Sequence, residues 1–240
     1  MRIIGCGACM ILGTPFPQED SFFNQAVAHL KSHGMEDIDA KIVALGGFPA
    51  PRAAKHLKPK VLAKNPDILV LQFGSTDAAI PMRKLLGSSQ PSGGSIWTAG
   101  KTSGWLDAAN WRLKSLVSTL LLSPPLTAKE EYIAAIKQMV AEAKAAGAIS
   151  IIISPFVFGS SRSNRNARRY TAELRKETAH ETRIHLLDAH AELSLYPRAK
   201  VLCQDGFHLS RFGHEVIGRK LAALISAVGR ASSPSAGYSI

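Results

Sequence analysis

Three short stretches of this 240-residue chain carry side chains that could do chemistry. The first is Cys6-Gly7-Ala8-Cys9, two thiols at C-x-x-C spacing directly after the apolar run at residues 1–4. Such a pair can be a redox couple, half of a metal site, or the setting of one nucleophile at the end of a first strand. The second is Asp205-Gly206-Phe207-His208. Across a turn, a carboxylate three residues before an imidazole can fix its tautomer and stabilise the imidazolium, as a general base requires. An Asp capping a turn beside a packed His gives the same pattern. The third is Gly74-Ser75-Thr76-Asp77, small and polar residues that close the apolar run at 68–71.

Strand and helix signals alternate around these stretches, and they say where each must lie. MRII reads as a strand, DAKIVALGG as a second and PDILVLQFG as a third, buried on both faces because its apolar run is continuous. AISIIISPF and RIHLLDAH complete five strands. Between them fall DSFFNQAVAHLKSH, capped by Asp20 or Ser21, then PRAAKHLKPKVLAK, broken or kinked by Pro59. WRLKSLVSTLLLS reads as helix up to Pro124 and Pro125. TAKEEYIAAIKQMVAEAKAAG is expected to start on a capping box of Thr127 with Glu130 and to stop at Gly147. NRNARRYTAELRKETAH and the closing RFGHEVIGRKLAALISAVG are the remaining helices. The alternation predicts a flavodoxin-like, three-layer α/β/α domain over residues 1–228, with a five-stranded parallel sheet and a fraying tail at 229–240. In such sheets ligands bind beyond the carboxyl ends of the strands. All three chemical stretches are expected at that edge. Residues 75–110 lack periodicity, and the Gly- and Ser-rich segment 87–105, with Trp97 and Trp105, is expected to lie over the strand ends as a lid or pocket wall.

Composition narrows the classes. With 46% hydrophobic and 20% charged residues the chain can bury a sizeable core. Its three cysteines are an odd number, a poor basis for a disulfide framework, and they favour a reducing, cytoplasmic setting. The start lacks the uninterrupted apolar stretch of a signal peptide, and no run is long enough to span a membrane. A net charge of +11 suits an anionic partner. The one local cluster, Arg162, Arg165, Arg168 and Arg169, fits a solvated helix face and comes with no nucleic-acid-binding signature. An anionic small molecule, or no specific partner, is therefore expected ahead of nucleic acid.

The order of the blocks resembles that of the SGNH (GDSL-type) hydrolases. That family carries a nucleophile after the first strand in Gly-Asp-Ser, and a Gly after the second strand. It has Gly-x-Asn-Asp after the third and Asp-x-x-His before the last helix. Here Gly7-Ala8-Cys9, Gly46 or Gly47, Gly74-Ser75-Thr76-Asp77 and Asp205-Gly206-Phe207-His208 stand in those places, over roughly residues 1 to 228. The resemblance implies ester hydrolysis with Cys9 as nucleophile, His208 as proton shuttle and Asp205 as its orienting carboxylate. It also implies oxyanion donors at Cys9, Gly47 and Thr76, a small-molecule or glycan ester as substrate, and neither a metal nor an organic cofactor. Two residues depart from the family: Cys9 replaces the serine, and Thr76 replaces the amide donor of the third block. A thiol keeps a nucleophile. The lost amide donor opens the alternative of a non-catalytic binding domain that retains the fold.

The other uses of the C-x-x-C pair fit less well. Gly13, Pro15 and Pro17 deny Cys9 a long following helix, only five residues precede Cys6, and Cys203 with His208 is a poor second ligand pair. Cys6 then reads as a small buried strand-end residue. Asp77 is expected to hold its loop or cap a turn, Asp188 to cap a helix, and His214 to be a packing or surface residue. Trp97, Trp105 and Trp111 could line an acyl or sugar pocket or simply anchor their loop.

Overall fold

The computed structural model describes residues 1–79, 124–156 and 160–232. Five strands, β1 (Arg2–Gly7), β2 (Asp39–Ala44), β3 (Ile68–Gln72), β4 (Ile149–Ile153) and β5 (Ile184–Leu187), form one sheet in the order β2-β1-β3-β4-β5. Every pairing is parallel. The strands with continuous apolar runs take the middle: Ile3, Ile4, Leu69, Val70, Leu71, Ile151 and Ile153 are fully enclosed. β2 and β5, with mixed runs, take the edges and stay partly exposed.

The α-helices among the described residues are α1 (Phe22–Ser32), α2 (Ala50–Lys60), α3 (Ser75–Ala78), α4 (Lys129–Ala145), α5 (Ser161–Thr178), α6 (Ala189–Ser194), α7 (Arg198–Val201) and α8 (Arg211–Ser232). α1 packs on α8, and α2 and α5 pack on α4, which makes the two outer layers of an α/β/α sandwich. The five strands and the layers agree with the arrangement expected from the sequence. Ser21 caps α1, its Oγ accepting from the Asn24 N–H at 3.2 Å. Pro59 sits in the last turn of α2, which ends one residue later. α8 runs past residue 228, and positions 233–240 lie outside the described residues.

One expected cap is corrected. α4 starts at Lys129 behind Ala128, with no side-chain cap, rather than on a Thr127 capping box. The Thr127 hydroxyl donates instead to the carboxylate of Asp77. A buried charged acceptor is a stronger claim on that hydroxyl than a helix N–H that water can satisfy.

Candidate active site

β1 delivers its last residues to the carboxyl edge of the sheet, where a short 3-10 turn, Cys9–Leu12, begins. Cys9 opens that turn, so its N–H has no acceptor within it. The turn stops at Gly13, and no long helix follows, as expected from the sequence. The opposing loop comes from the segment before α8. Leu202 and Leu209 form an isolated antiparallel bridge, and the Cys203 N–H donates to the His208 carbonyl at 2.8 Å. Between them the chain reverses through Gly206, whose φ of +66° suits glycine. This closed loop fixes Asp205. Its Oδ1 accepts from the backbone N–H groups of Phe207 and His208, both at 2.9 Å. Its Oδ2 lies 2.6 Å from His208 Nδ1.

The third member is 199 residues away in sequence. His208 Nε2 stands 3.6 Å from Cys9 Sγ, within hydrogen-bond range for sulfur. Thiol, imidazole and carboxylate therefore form a continuous line. Burial works against a charge on His208, but the Asp205 hydrogen bond and the contact with Cys9 outweigh it, and its pKa is raised to about 9. Burial also opposes the charge on Asp205, yet the imidazole and the two N–H donors hold its pKa below the usual carboxylate value. A protonated imidazole at this distance stabilises negative charge on sulfur, the form in which a thiol attacks.

The other two thiols are placed differently. Cys6 points into the core, and burial raises its pKa to about 12. Cys203 donates its thiol to the Leu209 carbonyl at 3.1 Å, and burial, then the Asp205 charge, raise its pKa to about 11. All three are free. Among the described residues no cluster of three or more His, Cys, Asp or Glu side chains is spaced to hold a metal ion.

A narrow hollow beside Cys9 is lined by Ala8, Phe48, Gln72, Gly74, Thr76 and Phe207, among others. Thr76, buried in α3, therefore shares a wall with Cys9. Gly47 lies in the turn after β2, next to Phe48. Gly74 has φ +105°, and a Cβ there would come 2.5 Å from Pro155 and 2.8 Å from the Tyr132 hydroxyl; only glycine fits. Asp77 does hold its loop. Fully buried, it accepts from the N–H groups of Ala50 at 2.9 Å and Gly74 at 3.1 Å, and so ties the turn after β2 to the end of β3. Burial raises its pKa despite these donors. Asp188 caps α6, and His214 packs against Phe22 and accepts its N–H at 3.3 Å. Burial, then the charge of His208, lowers the pKa of His214 to about 4. Gln72 and Phe48 carry no role in the sequence reading, and Phe207 enters it only within the Asp205–His208 block. Gln72 left a signal there, as the one polar side chain in the run ILVLQF. The expected lid at 87–105, with Trp97 and Trp105, and Trp111 lie outside the described residues.

No family model matches the chain, and no curated protein matches it by sequence. Solved structures do match its fold over nearly its whole length. A protein of Desulfitobacterium hafniense DCB-2, classed as lipolytic of the G-D-S-L family, superposes with a TM-score of 0.60 at 15% identity, over 93% of this chain and 98% of that one. The chain has the SGNH-hydrolase fold. The acetyl xylan esterase AlAXEase shares that fold with a TM-score of 0.66 at 15% identity, covering 94% of this chain and 100% of its own. Axe2, an acetylxylan esterase from Geobacillus stearothermophilus, gives 0.62 at 19% identity over 95% and 94%. It was solved as catalytic mutants in which a serine or a histidine is changed to alanine.

Proposed function

We propose that this protein hydrolyses acyl esters through Cys9, His208 and Asp205, over a domain spanning residues 1–228. The observation that carries the reading is the pair of contacts on one imidazole: Nδ1 to Asp205 at 2.6 Å and Nε2 to Cys9 at 3.6 Å. Attack by Sγ forms an S–C bond, and the carbonyl π pair moves onto oxygen. Backbone N–H groups at Cys9 and Gly47, with the Thr76 hydroxyl, stabilise that oxyanion. As the tetrahedral centre collapses, His208 gives its proton to the departing alkoxide. Water then attacks the thioester with His208 taking a proton, and the carboxylic acid leaves with Cys9 restored.

The substrate we favour is an acetylated carbohydrate or another small ester carrying negative charge. Fold relatives include acetyl xylan esterases. The net charge of +11 and Arg52, whose guanidinium stacks 3.8 Å from the centroid of the hollow-lining Phe48, favour an anion. Three free thiols suit the cytoplasm. No helix among the described residues is long and apolar enough to cross a membrane. The test is rapid quenching during turnover of p-nitrophenyl acetate and acetylated xylo-oligosaccharides, followed by mass analysis of the peptide bearing Cys9. An acetyl thioester on Cys9, absent in His208→Ala, is expected. Turnover unaltered in Cys9→Ala would remove the reading, and no turnover of any ester would favour a binding domain.

A further inference from the structure

Gln72 is the last residue of β3 and is fully buried, yet neither its Nε2 nor its Oε1 has a hydrogen-bond partner among the described residues. Leaving both ends of a buried carboxamide unpaired is destabilising, and an apolar side chain would continue the run Ile68–Leu71 without that cost. Its place in the fold is specific. In the parallel register Gln72 pairs with Gly7, two residues before Cys9. A Cβ on Gly7 would stand 3.1 Å from the Gln72 Cβ and 3.2 Å from its Oε1, so the glycine leaves the room in which the amide sits. Gln72 is also one of the residues around the hollow shared by Cys9 and Thr76.

We propose that the Gln72 carboxamide is an oxyanion donor, supplying from the end of β3 the amide hydrogen bond that Thr76 cannot make. This rests on the hydrolase reading above. As Sγ bonds to the acyl carbon and the π pair moves to oxygen, an Nε2–H of Gln72 donates to that oxygen, and no proton is transferred. The two ends of the amide exchange by a half-turn of the terminal torsion, so Nε2 can face the hollow whichever way it rests. Once its Nε2 is turned to the hollow that Gln72 shares with Cys9, an orphaned donor needs no further reorganisation when the charge appears, which is what makes such donors effective.

The experiment compares the parent with Gln72→Met, which keeps length and flexibility but has no N–H, and with Gln72→Leu as a second apolar replacement should the first fold poorly. Hydrolysis of p-nitrophenyl acetate is measured beside alkylation of Cys9 by iodoacetamide. Alkylation is a displacement at a CH2 group and builds no charge on a carbonyl oxygen. Both variants are expected to lose about 10²-fold in kcat, with the alkylation rate kept and the Tm equal or higher. A kcat close to the parent's would overturn the inference and leave the hydrolase reading standing. Loss of alkylation in step with kcat would also overturn it, because Gln72 would then act by positioning Cys9. If the parent itself turns over no faster than Cys9→Ala, the underlying reading falls and the inference with it, a failure visible before Gln72 is changed.

Discussion

At the end of β1 and its opposing loop, each polar atom of the Asp205–His208 pair is engaged: one carboxylate oxygen by two backbone N–H groups, the other by the imidazole, and the far imidazole nitrogen by sulfur. At the end of β3, one strand over, the pattern divides. Asp77 is saturated with donors, whereas the Gln72 carboxamide has no hydrogen-bond partner among the described residues. The saturated groups hold backbone in place and set a protonation state. The unsaturated one holds nothing within the described fold, and the oxyanion role proposed for it would use that capacity. The contrast separates residues that build this edge of the sheet from residues that would use it.

The sharpest break in the comparison is Cys9→Ala. If the β1 side carries the chemistry, this change should lower kcat for a short acyl ester by on the order of 10³-fold or more, with the fold kept, as thermal melting would show. Asp77→Ala should do the reverse. Two buried N–H groups and the Thr127 hydroxyl would lose their acceptor, at a cost of roughly 2–4 kcal/mol in a denaturant melt, with activity falling only as the loop loosens.

The charge on His208 gives a pH signature. Its folded pKa is raised, so its contribution to stability is complete below about 6.5 and is lost as pH rises through about 9. The size is at most roughly 3 kcal/mol, read as a difference in unfolding free energy between the parent and Asp205→Asn. Asp205 runs the other way: its folded pKa is lowered, so its share is present above the ordinary carboxylate value and lost as pH falls through the folded one. Because the leaving alkoxide needs the imidazolium proton, hydrolysis should fall off above about pH 9. Asp205→Asn should move that limb downward, which a kcat/KM profile would record. The smallest effect belongs to Thr76→Asn. A longer amide at the wall of the hollow should raise kcat by about tenfold at most, and less if Gln72 already serves the oxyanion.

Much of this was legible in the sequence, for identifiable reasons. Continuous apolar runs in β1, β3 and β4 can be satisfied only between two helical layers, so strand number and layering followed from pattern. The Asp-x-x-His block was legible because local turn geometry brings a carboxylate to an imidazole across three residues. The meeting of Cys9 with His208 was not, since no spacing rule spans 199 residues; only the order of blocks pointed to it. Thr127 was misplaced because its demand comes from Asp77, fifty residues earlier in the chain. Gln72 was passed over because in a strand-like run a lone polar residue looks the same whether it is paired or orphaned.

If His208 activates one thiol of the three, competitive alkylation will single that thiol out. Native protein is treated with limiting iodoacetamide across pH 6 to 9, and labelling at Cys6, Cys9 and Cys203 is followed by peptide mass spectrometry. Cys9 is expected to react far faster than the other two at neutral pH, because burial holds Cys6 and Cys203 as neutral thiols, their pKa values raised to about 12 and about 11. His208→Ala is expected to remove most of that advantage. Equal labelling of all three thiols in the folded protein, or an advantage of Cys9 that survives His208→Ala unchanged, would contradict activation by His208.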